Sequence, residues 1–186
     1  MGVTMRLMIL VSAMVGFAVS TAAAESRSVY APDDQVAAIR AVEEAREAYK
    51  TCGNQLKCSS VRKDRDKAIS AATGRGRLVN WVGVLDTLAT TGDGDAYISI
   101  SVPERDVTLS TWNNGISDIS DKTLIKHGSP LYEALAEMEV GDPVIFSGQI
   151  KSEKSLTEAG SIAAPDFAVR FSEIRIATIE DTESDE

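Results

Sequence analysis

The chain has 186 residues, of which 44% are hydrophobic, 25% charged and 5% aromatic. This composition is typical of a globular protein and excludes a disordered chain, a multi-pass membrane protein and a disulfide-rich scaffold. The 19 basic and 28 acidic residues give a net charge of −9, which argues against general nucleic-acid binding because such a surface repels phosphate backbones. One histidine and two cysteines are too few for common metal sites, so we expect neither a metal nor a cofactor.

Residues 1–24 have the three parts of a secretory signal peptide. Arg6 supplies the positive start, residues 7–19 are apolar, and three alanines at 22–24 are the small residues favoured at a cleavage site. An uncleaved anchor is the less favoured alternative, because the apolar run is shorter than the roughly 20 residues of a membrane helix. We therefore expect cleavage after Ala24, a periplasmic or secreted protein, and no stable membrane insertion.

Two helices are predicted in residues 25–75. The first spans residues 33 to about 51, where alanine is frequent and Pro32 precedes two acidic residues that favour a helix start. The second spans about 60 to 72, and its many charged residues indicate a mostly solvated surface.

Cys52 and Cys58 lie between these helices, and an unbroken helix would separate them by about 9 Å along its axis. A disulfide needs a Cα separation of about 4.4–6.8 Å. The sequence therefore predicts a break at Gly53-Asn54 and an antiparallel hairpin with a Cys52–Cys58 disulfide. The less favoured alternatives are a redox pair or half of a metal site shared by two chains. The hairpin would mediate dimerisation or docking, pack on the next domain, or act as a spacer.

From residue 76 the pattern changes to the alternation of β-strands. Strands are predicted over residues 78–88, 96–102 and 107–112, then around 144–150 and 167–176, with a helix starting at Ser129-Pro130 between the third and fourth. Gly83 allows the first strand to bend. This order is that of the OB-fold, a five-stranded Greek-key barrel. The predicted fold class is α+β, with a helical hairpin followed by an OB-fold-like domain over 76–178 and a disordered acidic tail over 179–186.

Short motifs are spread over residues 77–176: Trp81-Val-Gly83, Thr111-Trp-Asn-Asn114, Ser117-Asp-Ile-Ser-Asp121, Thr123-Leu-Ile125, Gly128-Ser-Pro-Leu-Tyr132, Gly141-Asp142, Phe146-Ser-Gly148 and Ser155-Leu-Thr-Glu158. Their pattern resembles an uncharacterised bacterial domain that follows a signal or membrane anchor and a short helical segment. The resemblance implies an exported OB-fold-like domain. It implies no activity and no catalytic residue.

The densest group of polar residues lies between the third strand and the helix. One hypothesis is a ligand site there, with Trp112 as a stacking platform and two asparagines as hydrogen-bond donors. The alternative, which we favour, is that Trp112 caps the barrel while the Asn and Asp side chains satisfy the backbone of a long turn. The candidate ligand-binding residues are Trp112, Asn113, Asn114, Asp118, Asp121 and His127.

A hydrolase would use His127 as its base. Asp118 or Asp121 would orient the imidazole, and Ser129 or Ser117 would be the nucleophile. No nucleophile-elbow sequence surrounds either serine, so this hypothesis is disfavoured and no catalytic residue is assigned.

Two further chemistries are weakly indicated. The first is a cation site at Asp93-Gly-Asp95. This segment lacks the series of ligands and the final Glu of an EF-hand, and its sequence is typical of a tight turn. Stacking of single-stranded nucleic acid needs exposed aromatics, but Trp81, Phe146 and Phe171 are interior by alternation.

The sequence therefore predicts an exported, non-enzymatic binding module. Its partner would be a protein, glycan or small ligand of the cell envelope. The alternatives are an assembly protein that forms homo-oligomers through the hairpin, and a hydrolase that uses His127.

Overall fold

The computed structural model describes residues 30–178 and residue 181. The predicted signal peptide, and the predicted tail apart from Asp181, lie outside the described residues. None of the helices in the described part of the chain is long and apolar enough to cross a membrane. The elements in chain order are α1 (Asp33–Lys50), α2 (Gln55–Ala72), β1 (Arg77–Thr90), β2 (Ala96–Val102), β3 (Val107–Ser110), α3 (Pro130–Ala136), β4 (Pro143–Glu153), α4 (Glu158–Ala163) and β5 (Asp166–Ile176).

The predicted hairpin and its disulfide are confirmed. Cys52 and Cys58 are bonded, with their Cα atoms 5.1 Å apart. The helix breaks at Gly53, whose φ of 78° lies in the left-handed region that favours glycine. Helix α2 begins at Gln55, earlier than predicted, because the Asn54 side chain caps it by accepting a hydrogen bond from the Lys57 N–H at 3.0 Å. Cys58 therefore lies in the first turns of α2.

The five strands form a closed barrel in the order β1-β2-β3-β5-β4. Strand β1 pairs with β4 over its first half and with β2 over its second half, and the two pairings meet at Val84. Strands β3 and β5 are parallel, whereas the other neighbours are antiparallel. This is the predicted OB-fold-like topology, with α3 between β3 and β4.

Gly83 lies next to the point where β1 changes partner. A Cβ atom on Gly83 would be 2.5 Å from Cγ2 of Ile100 and 2.8 Å from the Ser101 carbonyl oxygen. The glycine is therefore required by the close approach of β2. Two register shifts, one on either side of Gly83, also curve β1. The shift before Gly83 contains Asn80, whose φ is 54°.

Two elements differ from prediction. Strand β3 ends at Ser110 rather than residue 112. The Thr111 N–H still donates to the Ile98 carbonyl at 2.9 Å, but the Ile98 N–H donates at 2.9 Å to Thr111 Oγ1 and not to the Thr111 carbonyl. Helix α4 was not predicted; Thr157 caps it by accepting from the Gly160 N–H at 3.1 Å.

Helix α1 packs on the barrel. Its apolar side chains belong to the same buried cluster as the barrel interior, and a void of only about 10 Å³ separates Ile39 and Val42 from Trp81 and Phe167. The Arg46 guanidinium on α1 donates to backbone carbonyls of the β2–β3 turn and of α4. The hairpin is therefore packed against the barrel and does not stand off it as a spacer. The aromatic residues predicted to be interior are buried: Trp81, Phe146 and Phe171.

Candidate functional site

The long connection between β3 and α3, residues 111–129, is held together from inside by Asp118. Its Oδ1 accepts hydrogen bonds from the Thr123 N–H at 2.5 Å and the Thr123 hydroxyl at 2.7 Å, and its Oδ2 accepts from the Leu124 N–H at 3.1 Å. The carboxylate is buried. Both carboxylate oxygens of Asp118 therefore accept hydrogen bonds from within the loop, as in the turn-forming alternative.

Asn113 and Asn114 are exposed and bond to their own loop. Asn114 Oδ1 accepts from the Ser117 N–H at 2.9 Å, and Asn114 Nδ2 donates to Asn113 Oδ1 at 2.9 Å. Their observed bonds are those of turn residues.

Trp112 is half-buried and fixed at both ends. Its Nε1 donates to Asp121 Oδ2 at 2.8 Å, and its backbone N–H donates to the Thr123 hydroxyl at 2.8 Å. The Lys154 ammonium lies 5.3 Å from the centroid of the indole ring, within the range of a cation–π interaction. The structure thus brings Trp112 and Asp121 together, and it places the Lys154 ammonium near the indole ring.

Two residues that the sequence did not predict complete this group: Ser152 in strand β4, and Lys154 directly after the end of that strand. Ser152 donates from its hydroxyl to Asp121 Oδ2 at 2.5 Å. Lys154 donates to Ser110 Oγ at 2.7 Å and to the carbonyl of Thr111 at 3.0 Å. We call Trp112, Asp121, Ser152 and Lys154 the Trp112 cluster.

The electrostatics of the Trp112 cluster favour an ionised Asp121. Burial alone would raise the pKa of this carboxyl. The hydrogen bonds from Ser152 and Trp112, with the nearby charge of Lys151, outweigh burial and hold its pKa below the ordinary value. The carboxylate is therefore a fixed acceptor that ties the β3–α3 loop to β4.

His127 lies apart from the Trp112 cluster. Its ring packs on Tyr132 with centroids 4.8 Å apart, and its backbone N–H donates to Asp95 Oδ1 at 3.3 Å. Over residues 30–178 the imidazole makes no hydrogen bond to the candidate hydrolase partners, which are Asp118, Asp121, Ser117 and Ser129.

In the Asp93-Gly-Asp95 turn, the Asp95 carboxylate accepts hydrogen bonds from other parts of the protein. Lys126 Nζ donates to Asp95 Oδ2 at 2.6 Å, and this hydrogen bond, despite partial desolvation, lowers the pKa of Asp95. Among the residues that the structure describes, no group of three or more His, Cys, Asp or Glu side chains is arranged to hold a metal ion.

The β3–α3 loop also exposes two large aliphatic side chains that the polar analysis passed over. Ile116 is 84% exposed and Ile119 is 71% exposed. They flank the buried Asp118, so they project from a loop whose backbone is held by internal hydrogen bonds. We call these two residues the apolar loop tip. The sequence shows two isoleucines within an otherwise polar segment, but it does not show whether they are buried or exposed.

Comparison with protein-family models, with curated proteins and with solved structures gave no match to this chain.

Proposed function

We propose that this chain is an exported, non-enzymatic binding module whose β3–α3 loop docks on a protein of the cell envelope. The apolar loop tip carries the proposal, because two exposed isoleucines three residues apart on one loop offer an apolar surface that a protein partner would cover. The Cys52–Cys58 disulfide supports export, since such bonds persist in oxidising compartments. The predicted signal peptide supports the same location.

A protein partner is favoured over a glycan or a small ligand by shape and chemistry. Small ligands bind in concave sites with convergent polar groups. The side chains of Ile116 and Ile119 offer no hydrogen bonds, and neither residue lines the cavities at α1, at α2 or between α1 and the barrel. A protruding apolar tip is complementary to a recess on a larger partner.

The internal bonding of the loop favours tight binding. Asp118 holds three donors within the loop, and the Asp121 carboxylate ties it to Trp112 and Ser152. A loop already held in one conformation loses less conformational entropy when it binds. The Trp112 cluster therefore acts as a support for the apolar loop tip.

The test is capture from an envelope extract with immobilised protein. The double variant Ile116→Ser/Ile119→Ser is compared with wild type and with Val140→Ser, which removes an exposed aliphatic side chain after α3. We expect wild type and Val140→Ser to retain the same specific protein and the double variant to lose about tenfold of it. Equal capture by all three, with unchanged circular dichroism, would contradict the proposal.

The two other predicted functions have less support. The apolar face of α1 is used against the barrel, which leaves less of the hairpin for homo-oligomerisation. A hydrolase would need His127 to bond a serine or a carboxylate, and its ring contact in the described residues is with Tyr132. Both stay predictions, which light scattering of the full chain and a hydrolase panel with His127→Ala respectively test.

A further inference from the structure

A second candidate interface lies on the outer face of the barrel, where β1, β4 and β5 are neighbours. Arg77 of β1 is opposite Gln149 of β4, and Gln149 is opposite Arg170 of β5. Residues that are opposite one another on paired strands point to the same face of a sheet. Both arginines are exposed, whereas the next residues along the same strands, Leu78 and Phe171, are buried in the barrel. The two arginine side chains therefore lie on the solvent side of the barrel, with Gln149 between them.

Lys151 extends this group toward the Trp112 cluster. It is exposed, and it lies at a register shift where Lys151 and Ser152 are both opposite Ala168 of β5. Although burial raises the pKa of Asp121, the hydrogen bond from Ser152 and the nearby charge of Lys151 lower it, so Lys151 lies on the same side of the barrel as Ser152. We call Arg77, Lys151 and Arg170 the basic row.

The charge of the basic row is not neutralised by ion pairs. In the part of the chain that the structure describes, none of its three members forms one. Two carboxylates share this side of the barrel, but neither is opposite an arginine of the row, because Asp121 belongs to the Trp112 cluster and Glu173 is opposite Ser147. The surface around Gln149 is therefore positive on a chain whose net charge is −9.

Gln149 places a hydrogen-bond acceptor between the two arginines. Its Nε2 donates to the Arg75 carbonyl at 2.8 Å, which leaves its Oε1 to accept a hydrogen bond. Guanidinium groups pair well with carboxylates, to which they can donate two hydrogen bonds at once. An acidic polypeptide supplies both kinds of group, since its side chains carry carboxylates and its backbone carries N–H donors.

Two other polyanions fit this surface less well. Single-stranded nucleic acid binds by stacking on aromatic side chains as well as by charge, and the members of the basic row are not aromatic. A membrane is a plane that faces a whole side of the domain, so it also meets the acidic residues outside the row. A peptide chain is narrower, and charges farther from it than the Debye length of about 8 Å are largely screened.

We propose that the basic row binds an acidic peptide segment of a protein partner. Carboxylates of the segment pair with Arg77 and Arg170, a backbone N–H donates to Gln149 Oε1, and Lys151 adds positive charge beside them. This surface does not include Ile116 or Ile119. It therefore goes beyond the proposed docking function and stands or fails separately from it.

Fluorescence anisotropy of a labelled octaglutamate peptide, titrated with the full chain, tests the partner class. Octaglutamine is the neutral control of the same length. In about 50 mM NaCl we expect saturable binding of octaglutamate that is at least about tenfold tighter than binding of octaglutamine. The affinity should fall when the salt is raised to about 500 mM, because salt screens exposed charges.

Variants locate the binding on the basic row. Arg77→Gln/Arg170→Gln should weaken octaglutamate binding at least about fivefold, since each exposed ion pair contributes a modest share of the affinity. Arg40→Gln/Lys63→Gln removes the same charge from exposed positions of α1 and α2 and should bind like wild type. Circular dichroism checks folding. If the first double variant fails to fold, Lys151→Gln replaces it, with an expected loss of about two- to threefold.

The proposal would be overturned by equal binding of the two peptides, or by an absence of saturation with octaglutamate up to about 1 mM protein. An equal loss of affinity in the two double variants would also overturn it, because the net charge and not the basic row would then determine binding. Tighter binding to an eight-nucleotide oligothymidylate or to phosphatidylglycerol vesicles than to octaglutamate would overturn it in favour of nucleic acid or a membrane.

Discussion

The side-chain amide of Gln35 pairs with both backbone groups of Val82. Gln35 Nε2 donates to the Val82 carbonyl at 2.7 Å, and Gln35 Oε1 accepts from the Val82 N–H at 2.8 Å. Val82 lies in the first half of β1, before the pairing with β2 begins at Val84. A buried glutamine of α1 thus takes the place of a neighbouring strand and satisfies a backbone edge that the barrel leaves open.

Replacement of Gln35 is therefore expected to destabilise the protein. Gln35→Leu keeps an approximately similar volume but leaves the Val82 N–H and carbonyl without partners, and should cost about 2–4 kcal/mol in the free energy of unfolding. Urea denaturation measures this loss. Gln55→Leu, at the exposed start of α2, is the control and should stay within about 0.5 kcal/mol of wild type. A Gln35→Leu protein as stable as the control would contradict this role.

Gly83 gives a second stability prediction. Gly83→Ala places a Cβ against Ile100 and the backbone of Ser101, so β2 must move and the cost should be about 1–3 kcal/mol. Gly92→Ala is the matched control, because a Cβ there meets nothing within 4 Å. We expect the melting temperature of Gly83→Ala to fall below that of wild type and that of Gly92→Ala to change little. Equal melting temperatures would show that β1 does not need this close approach.

The disulfide should stabilise the protein because it closes a small loop in the unfolded chain and so lowers the conformational entropy of that chain. The double variant Cys52→Ser/Cys58→Ser is expected to lose roughly 2 kcal/mol of unfolding free energy in the chain-entropy model. Dithiothreitol should destabilise wild type by the same amount and leave the variant unchanged. A wild type that unfolds at the same urea concentration with and without reductant would contradict the expectation.

The lowered pKa of Asp121 predicts a pH-dependent contribution. A carboxyl whose pKa is lower in the folded than in the unfolded state stabilises the fold above its unfolded pKa of about 3.9, and this stabilisation disappears as the pH falls through the folded value. Asp121→Asn should therefore be less stable than wild type at pH 7, by about 1 kcal/mol, and the difference should shrink below about pH 4.

Urea denaturation from pH 3 to 7 measures the difference, and Asp93→Asn controls for the removal of one negative charge in an exposed turn. A difference between wild type and Asp121→Asn that is the same at all pH values would show that the ionised carboxylate does not support the Trp112 cluster.

Local sequence patterns predicted many of the helices and strands. Strict alternation predicted β2 with its observed ends, Ser129-Pro130 predicted the start of α3, and the spacing of the two cysteines predicted the hairpin. These features depend on neighbours in the chain, which is why a single sequence contains them.

The parts that the sequence did not predict depend on distant residues. Arg65 appeared on a solvated helix, but it is buried because Glu153, 88 residues later, lies beside it. Ser152 and Lys154 belong to the Trp112 cluster because the end of β4, and the residue after it, contact the β3–α3 loop at Asp121 and Thr111. Neither relationship leaves a periodic signal in the chain.

The structure brings together only some of the residues that the sequence grouped as a candidate ligand site. Trp112 and Asp121 do lie together, whereas Asp118 is a buried loop brace and His127 lies with Tyr132. The candidate site was predicted from its polar residues, because polar side chains bind ligands and catalyse reactions. Ile116 and Ile119 were overlooked, since exposure of an apolar residue is seen only once the loop is folded.

Site-specific photo-crosslinking tests the docking function most directly. A benzoylphenylalanine is placed at Ile116, at Ile119 or at the exposed control position Val140, and the protein is irradiated in cells that express it. We predict one discrete adduct of the same envelope protein from positions 116 and 119, and none from 140. Absence of an adduct at 116 and 119, or the same adduct from all three positions, would contradict a partner seated on the apolar loop tip.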